Sequence, residues 1–255
     1  MPMTLAERRA AFRALHQEGC FILPNPWNPA GARRLQALGF EAIASTSSGA
    51  AWALGREDGE MSRDEVLAHL TMLCEATDLP VNADFERGFA DAPEGVATNV
   101  TMAVDTGVAG LSIEDRTGKA LYDPQLAVER IRAAREAIDR SGQDVMLIGR
   151  SEGFLIGRTE LRETISRLAA YAQAGADCLY APGIRDLGQI AEVVSAVAPN
   201  PVNVLLMGPG MRVAELAEVG VRRVSVGGGL AAATWARFEE VARTLKDEGT
   251  MPARR

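Results

Sequence analysis

Short apolar runs recur along the chain: FILPN (21–25), EAIAST (41–46), VNAD (81–84), GLSIE (110–114), VMLIGR (145–150), CLYAP (178–182), VNVLL (202–206) and RVSVG (223–227). Each has the length of a buried strand. Between them the apolar spacing becomes helical, as in SRDEVLAHLTMLCEA (62–76), DPQLAVERIRAAREAIDR (123–140) and RTELRETISRLAAYAQAG (158–175). Several strands are entered through a glycine where a helix should stop, in LGFEAI, TGVAGL, AGADCL and VGVRRV. A glycine there takes the left-handed conformation that ends a helix. Eight strand–helix units behind an extra N-terminal helix predict an α/β fold, a closed (β/α)8 TIM-type barrel, with residues 1–255 as a single domain. A doubly wound open sheet would be expected to show a glycine-rich dinucleotide turn after its first strand, and LPNPWNPAG is not one.

Composition narrows the partners. The 255 residues are 47% hydrophobic, enough for a large core, and carry a formal net charge of -7 with no basic block. Nucleic acid is therefore excluded as a partner. The N-terminal stretch MPMTLAERRAAFRALHQEG is charged and helix-periodic without a long apolar core, which predicts a cytoplasmic protein with no membrane partner. Cys20, Cys74 and Cys178 are far apart, and His16 and His69 are the only histidines. That argues against disulfides, a zinc site and a His-dependent triad.

In such a barrel the active site lies at the C-terminal strand ends. Those ends read Asn25, Ser45 to Gly49, Asp84 with Glu86, Glu114 with Asp115, Arg150 with Glu152, Tyr180, Asn203, and Gly227 to Gly229. If the strand persists to Glu86, Asp84 and Glu86 share one face, and Glu114 adds a third carboxylate. Oxygen donors without His or Cys suit Mg2+, with Mn2+ as the substitute, held partly through water. Asp58 could reach the same ion through water. Arg150 suits a two-pronged contact with a substrate carboxylate, so metal and arginine together imply a small anionic carboxylate substrate. The competing reading makes Glu114 and Arg150 a buried ion pair and leaves Glu86 solvated in a loop. STSSGAAWALGREDG (45–59) could present backbone N–H groups to an anion or be an ordinary loop. Gly227 to Gly229 could bind phosphate or merely form a tight turn. Cys178, Trp27, Trp52 and Trp235 read as packing residues, while Tyr180 stays open between packing and function.

SSGAAWALGRED (47–58), NADFERGF (82–89), GLSIED (110–115), GRSEGF (149–154) and PVNVL (201–205), in this order, make the chain similar to the isocitrate lyase/phosphoenolpyruvate mutase superfamily over nearly its whole length. The resemblance implies a (β/α)8 barrel whose last helix is often exchanged between subunits of a homodimer or homotetramer. It implies Asp84 as the direct Mg2+ ligand, with Asp58, Glu86 and Glu114 holding its waters. Ser47 or Ser48 with Gly49 would cradle a substrate carboxylate, and Arg150 and Asn203 would bind the oxygens of the substrate; Tyr180, from its place at a strand end, is a further substrate-binding candidate. The shared chemistry passes through a metal-bound enolate of a 2-oxo acid, stabilised by the ion and arginine.

The segment after the fourth strand departs from the lyases. EDRTGKALYDPQ (114–125) has no K-x-C-G-H element, and no Cys or His. Thr117 and Lys119 are its polar candidates, so Lys119 joins Arg150 and Glu114 as a catalytic candidate. Pro182 stands where many lyases carry Glu. The sequence therefore looks like the phosphonomutase-like branch: a Mg2+-dependent lyase or mutase that breaks or rearranges a C–C or C–P bond of a small 2-oxo or 2-hydroxy acid. The alternative is a catalytically silent barrel that binds a 2-oxo acid.

Overall fold

All eight apolar runs form strands that lie parallel in one sheet. The computed structural model describes residues 3–253, so the extreme ends of the expected 1–255 domain lie outside the described residues. The strands are β1 (Phe21–Leu23), β2 (Ile43–Ala44), β3 (Val81–Asp84), β4 (Gly110–Glu114), β5 (Met146–Arg150), β6 (Cys178–Tyr180), β7 (Val202–Leu205) and β8 (Arg223–Ser225). Sequence neighbours are spatial neighbours from β2 through β8, and β8 then pairs with β1. The ring closes where Ala44 N, in β2, donates to Pro24 O just past β1, at 3.0 Å. The first predicted run stops early because Pro24 and Pro26 have no N–H for a ladder.

Helices follow the strands as the periodicity predicts, among them α4 (Arg63–Ala76), α6 (Pro124–Ser141) and α7 (Leu161–Gln173). The glycines read as helix stops do have positive φ: +86° at Gly39, +93° at Gly107, +104° at Gly175 and +90° at Gly220. The larger core lies between strands and helices, and a second cluster fills the barrel interior. The extra helix α1 (Leu5–Leu15), opened by a Thr4–Glu7 capping box, plugs the barrel floor. Its Phe12 packs edge-on to His16 and Phe21. Phe12 also reaches 2.7 Å from where a side chain on Gly110 would begin, so only glycine fits at the foot of β4. Cys178 is a buried member of the interior cluster, as expected of a packing residue.

Three features differ from the sequence reading. The loop expected after β2 begins with a helix, α3 (Ser47–Ala53), because Thr46 caps it by accepting from Gly49 N. The strand does not continue to Glu86: β3 stops at Asp84, and Glu86 has φ +47°, a left-handed conformation costly for a side chain with a Cβ. Asp115, one of the strand-end acids, is structural. It is buried and accepts hydrogen bonds from Ser151 Oγ (3.0 Å), Glu152 N (2.8 Å) and Tyr171 Oη (2.6 Å), with Arg167 at 3.5 Å.

The last helix, α10 (Gly229–Glu248), buries only Ala231 of its 20 residues. Trp235 and Phe238, packed edge to face, lie exposed on it, beside an apolar groove lined by Pro26, Trp27 and Leu35. Among the described residues no helix is long and apolar enough to cross a membrane.

Asp115→Ala would leave the buried Ser151 and Tyr171 hydroxyls and the Glu152 N–H without this acceptor. We expect it to lower the unfolding free energy by roughly 3 kcal/mol or more, measured by urea denaturation.

Candidate active site

One row of side chains winds inside the barrel. In register, Glu114 pairs with Arg150, Arg150 with Tyr180, Tyr180 with Asn203, and Asn203 with Arg223. Residues in register face the same side of a sheet, so the row descends from the mouth at β4 to the foot of β8. From Arg150 down to Arg223 it forms one wall of a cavity of about 170 Å3, whose other walls include Ser45 to Ser48, Asp58 and Asp84. A larger groove outside the barrel, bordered by Glu94, Thr98, Glu129 and Arg132, is an open solvated face and gathers no such row.

Asp84 ends β3 at the centre of the polar contacts. Its N–H donates to Ser45 Oγ at 2.8 Å, and its Oδ2 accepts from Ser47 N at 3.0 Å and Ser47 Oγ at 2.9 Å. Ser47 Oγ lies equally close, 2.9 Å, to Asp58 Oδ1. A hydroxyl has one proton, so it serves only one of these carboxylates at a time. Arg150 Nη1 reaches Asp84 Oδ1 at 3.0 Å and Glu114 Oε2 at 3.5 Å, and its Nε reaches Glu152 Oε1 at 2.6 Å. Burial opposes the charge on this guanidinium, but Glu152, Glu114 and Asp84 outweigh it and hold Arg150 charged.

The acids outnumber that cation. Burial, then Asp84 and Asp58, pushes Glu86 up to about 7, and its Oε1 is buried with no hydrogen-bond partner. Burial, then Asp84, raises Asp58. Glu114 is raised well above the carboxylate range by burial, although Arg150 opposes the shift. Buried carboxylates that resist ionising mark a place short of positive charge.

Of the residues expected to act here, Ser47, Ser48, Asp58, Asp84, Arg150, Tyr180 and Asn203 line the cavity. Glu114 and Glu86 join through charge, Glu114 from the end of β4 and Glu86 through its coupling to Asp84 and Asp58. Two are not brought in. Gly49 is buried with its N–H given to Thr46 Oγ1, and Lys119 stands exposed at the tip of a hairpin pairing Arg116–Thr117 with Ala120–Leu121. Gly227 and Gly228 form a tight turn: Asn25 Oδ1 accepts from Val226 N and Gly227 N, and a Cβ on Gly228 would meet Trp52 and Ser48 at 2.8 Å.

The sequence reading missed Arg223, only 2% exposed and without a carboxylate partner among its hydrogen bonds to Asn203, Asn82 and His16. The signal was there: an arginine opening an apolar strand run has nowhere to go but a floor or a cavity.

The model of the family described as phosphoenolpyruvate phosphomutase matches residues 12–246. The chain belongs to the phosphoenolpyruvate phosphomutase family. It is thus an enzyme of the isocitrate lyase/phosphoenolpyruvate mutase superfamily, as the motifs implied. Escherichia coli (strain K12) 2-methylisocitrate lyase is 31% identical over 207 residues, covering 76% of this chain and 69% of that one. A lyase/mutase-type protein from Burkholderia cenocepacia J2315 superposes with a TM-score of 0.94 at 46% identity, covering 97% of this chain and 91% of the other. Oxaloacetate acetylhydrolase, solved with its product oxalate, superposes with a TM-score of 0.89 at 26% identity, covering 99% and 90%. The phosphomutase-family barrel therefore accounts for nearly the whole chain.

A carboxyl raised from near 4.5 to about 7 binds its proton more tightly in the folded state, so between those values the unfolded state holds fewer protons and stability falls as pH rises. Glu86→Gln should therefore stabilise the protein at pH 8 without divalent ions by roughly 1–3 kcal/mol, and flatten the decline between about pH 5 and 7. Thermal denaturation across that range measures both.

Proposed function

We propose that this cavity is the active site of a divalent-metal-dependent lyase or phosphonomutase acting on a small 2-oxo or 2-hydroxy acid through an enolate. The observation that carries this is the surplus of buried acid around Asp84: three carboxyls with raised pKa values and an orphaned Glu86 oxygen, beside one arginine. Among the described residues no three acidic, His or Cys side chains converge as a ready-made cage. Such a donor set fits Mg2+ or Mn2+ held directly by Asp84 and through water by Asp58, Glu86 and Glu114. When bound, the ion supplies positive charge beside the oxygen on which negative charge develops.

The chain's own groups do the rest. Arg150, aligned by Glu152 and Asp84, would meet the carboxylate or enolate oxygen with its guanidinium. Ser47 and Ser48 contact the carboxylate from the start of α3, and Asn203 and Tyr180 border the reacting carbons from below. The cavity volume suits an acid of a few carbons, and the deep walls limit water at the point where charge develops. Oxalate, the product held by oxaloacetate acetylhydrolase, is a planar mimic of such an enolate. The silent-barrel reading draws on one observation, the hairpin without His or Cys over the mouth.

We also propose a homodimer or homotetramer in which α10 covers a neighbouring subunit, since Trp235 and Phe238 are exposed beside an apolar groove. The double substitution Trp235→Glu, Phe238→Glu should convert a wild-type oligomer to monomer in sedimentation velocity, and a wild-type monomer would refute the assembly.

Asp84→Ala should lose Mg2+-dependent release of pyruvate from a panel of oxaloacetate-, phosphonopyruvate- and 2-methylisocitrate-type acids by at least about 100-fold, with its melting temperature retained. Retained turnover in that variant would refute the assignment, and absence of turnover in both would favour the silent barrel.

A further inference from the structure

We infer that Tyr180 is the acid that delivers a proton to the enolate carbon, the task that the hairpin above the mouth does not fill. The inference rests on the enolate reading of this cavity. Among the wall residues, Tyr180 is the one phenol, and the wall contains no thiol, imidazole or amine. Cys178 lies in the interior cluster and does not line the wall, while Lys119 is exposed away from it. The serine and threonine hydroxyls of the wall are far weaker acids than a phenol.

Geometry orients this phenol. Tyr180 ends β6 between Arg150 and Asn203 in the inward row, with the Arg150 guanidinium carbon 5.3 Å from the ring centroid. Beneath it, a guanidinium that can only donate sets the direction of a chain of hydrogen bonds. Arg223 Nε donates to Asn203 Oδ1 at 2.9 Å, which turns the amide so that Asn203 Nδ2 donates to Ser225 Oγ at 2.9 Å. Ser225 then has its own proton to give, and it stands on the same cavity wall as Tyr180. Tyr180 itself lines the cavity, so its phenol is within reach of a bound acid.

The proton stays on that oxygen until it is needed. Burial pushes the phenol up to about 12, so it is protonated at neutral pH, as a proton donor must be. In the transfer the Tyr180 O–H bond breaks and a C–H bond forms at C3, with the electron pair of the enolate double bond; the enolate oxygen becomes a carbonyl again. Arg150 and Arg223, the two cations nearest the ring in this row, stabilise the phenolate left behind. Water returns its proton before the next turnover.

The reverse step tests this without knowledge of the natural substrate. Pyruvate in D2O with Mg2+ and enzyme should exchange its methyl protons, followed by proton NMR. Tyr180→Phe keeps the ring and the Arg150 contact but loses the acid. We expect exchange to slow by about 100-fold or more, at least about tenfold beyond any loss of Mg2+-dependent oxalate binding. Ser225→Ala, which removes the acceptor of Asn203 Nδ2 and the hydroxyl that shares the wall with Tyr180, should slow exchange by about fivefold to tenfold and provides a second reading if Tyr180→Phe folds poorly. Wild-type exchange rates in Tyr180→Phe would overturn the inference, as would loss of exchange in Lys119→Ala with retention in Tyr180→Phe. Oxalate binding by the wild type with no exchange of pyruvate would also overturn it, leaving the enolate reading intact. No oxalate binding by the wild type would remove the enolate reading itself.

Discussion

Everything about this barrel's mouth turns on a local imbalance of charge. Asp84, Glu114 and Glu152 all converge on Arg150, and Asp58 and Glu86 press on the same point from the loops. One guanidinium neutralises one unit of charge, and Asp58, Glu86 and Glu114 are held where ionisation is costly. A fold tolerates such an arrangement when something outside the chain completes it, and a cation together with an anionic substrate does so. Glu86, held in a left-handed backbone conformation with an unpartnered carboxyl oxygen, is the clearest local sign that stability has been given up at this position.

The barrel makes that imbalance possible by isolating it. α1 and its Phe12 close the floor beneath the interior cluster. The descending row from Glu114 to Arg223 then carries polar side chains into the barrel, with Glu114 paired to Arg150 and Asn203 to Arg223. Asp115, next in sequence to Glu114, turns outward and fastens β4 to the start of the β5 loop through Ser151 and Glu152 N. That anchor fixes Glu152, and through it the orientation of Arg150. Structure and chemistry thus diverge between two adjacent acids.

Much of this was legible in the sequence because the signals were local. Eight apolar runs and the glycines that end helices mark the barrel, and the final residues of those runs mark its mouth. What escaped depends on three-dimensional partners. Helix α3 was hidden because Ser, Thr and Gly read as loop, whereas here Thr46 uses its side chain as a cap. Glu86 reads as the next inward strand position, yet the chain turns after Asp84. Gly49 fits the family pattern and Lys119 is a polar candidate in the segment that departs from it, but one is buried with its N–H spent and the other is exposed at a hairpin tip. Arg223 signalled an inward position by opening an apolar run, but its partners were not readable because His16, Asn82 and Asn203 approach it from three distant segments.

The central claim is that the buried acids form one half of a site completed by a divalent cation and an enolate-like anion. Calorimetric titration of the wild-type protein with oxalate, with and without Mg2+, tests it most directly because it needs no substrate to be guessed. The account predicts tight binding that requires Mg2+. Equal binding without the ion, or none in either condition, would contradict it and leave the acids at 58, 84, 86 and 114 as structural charges.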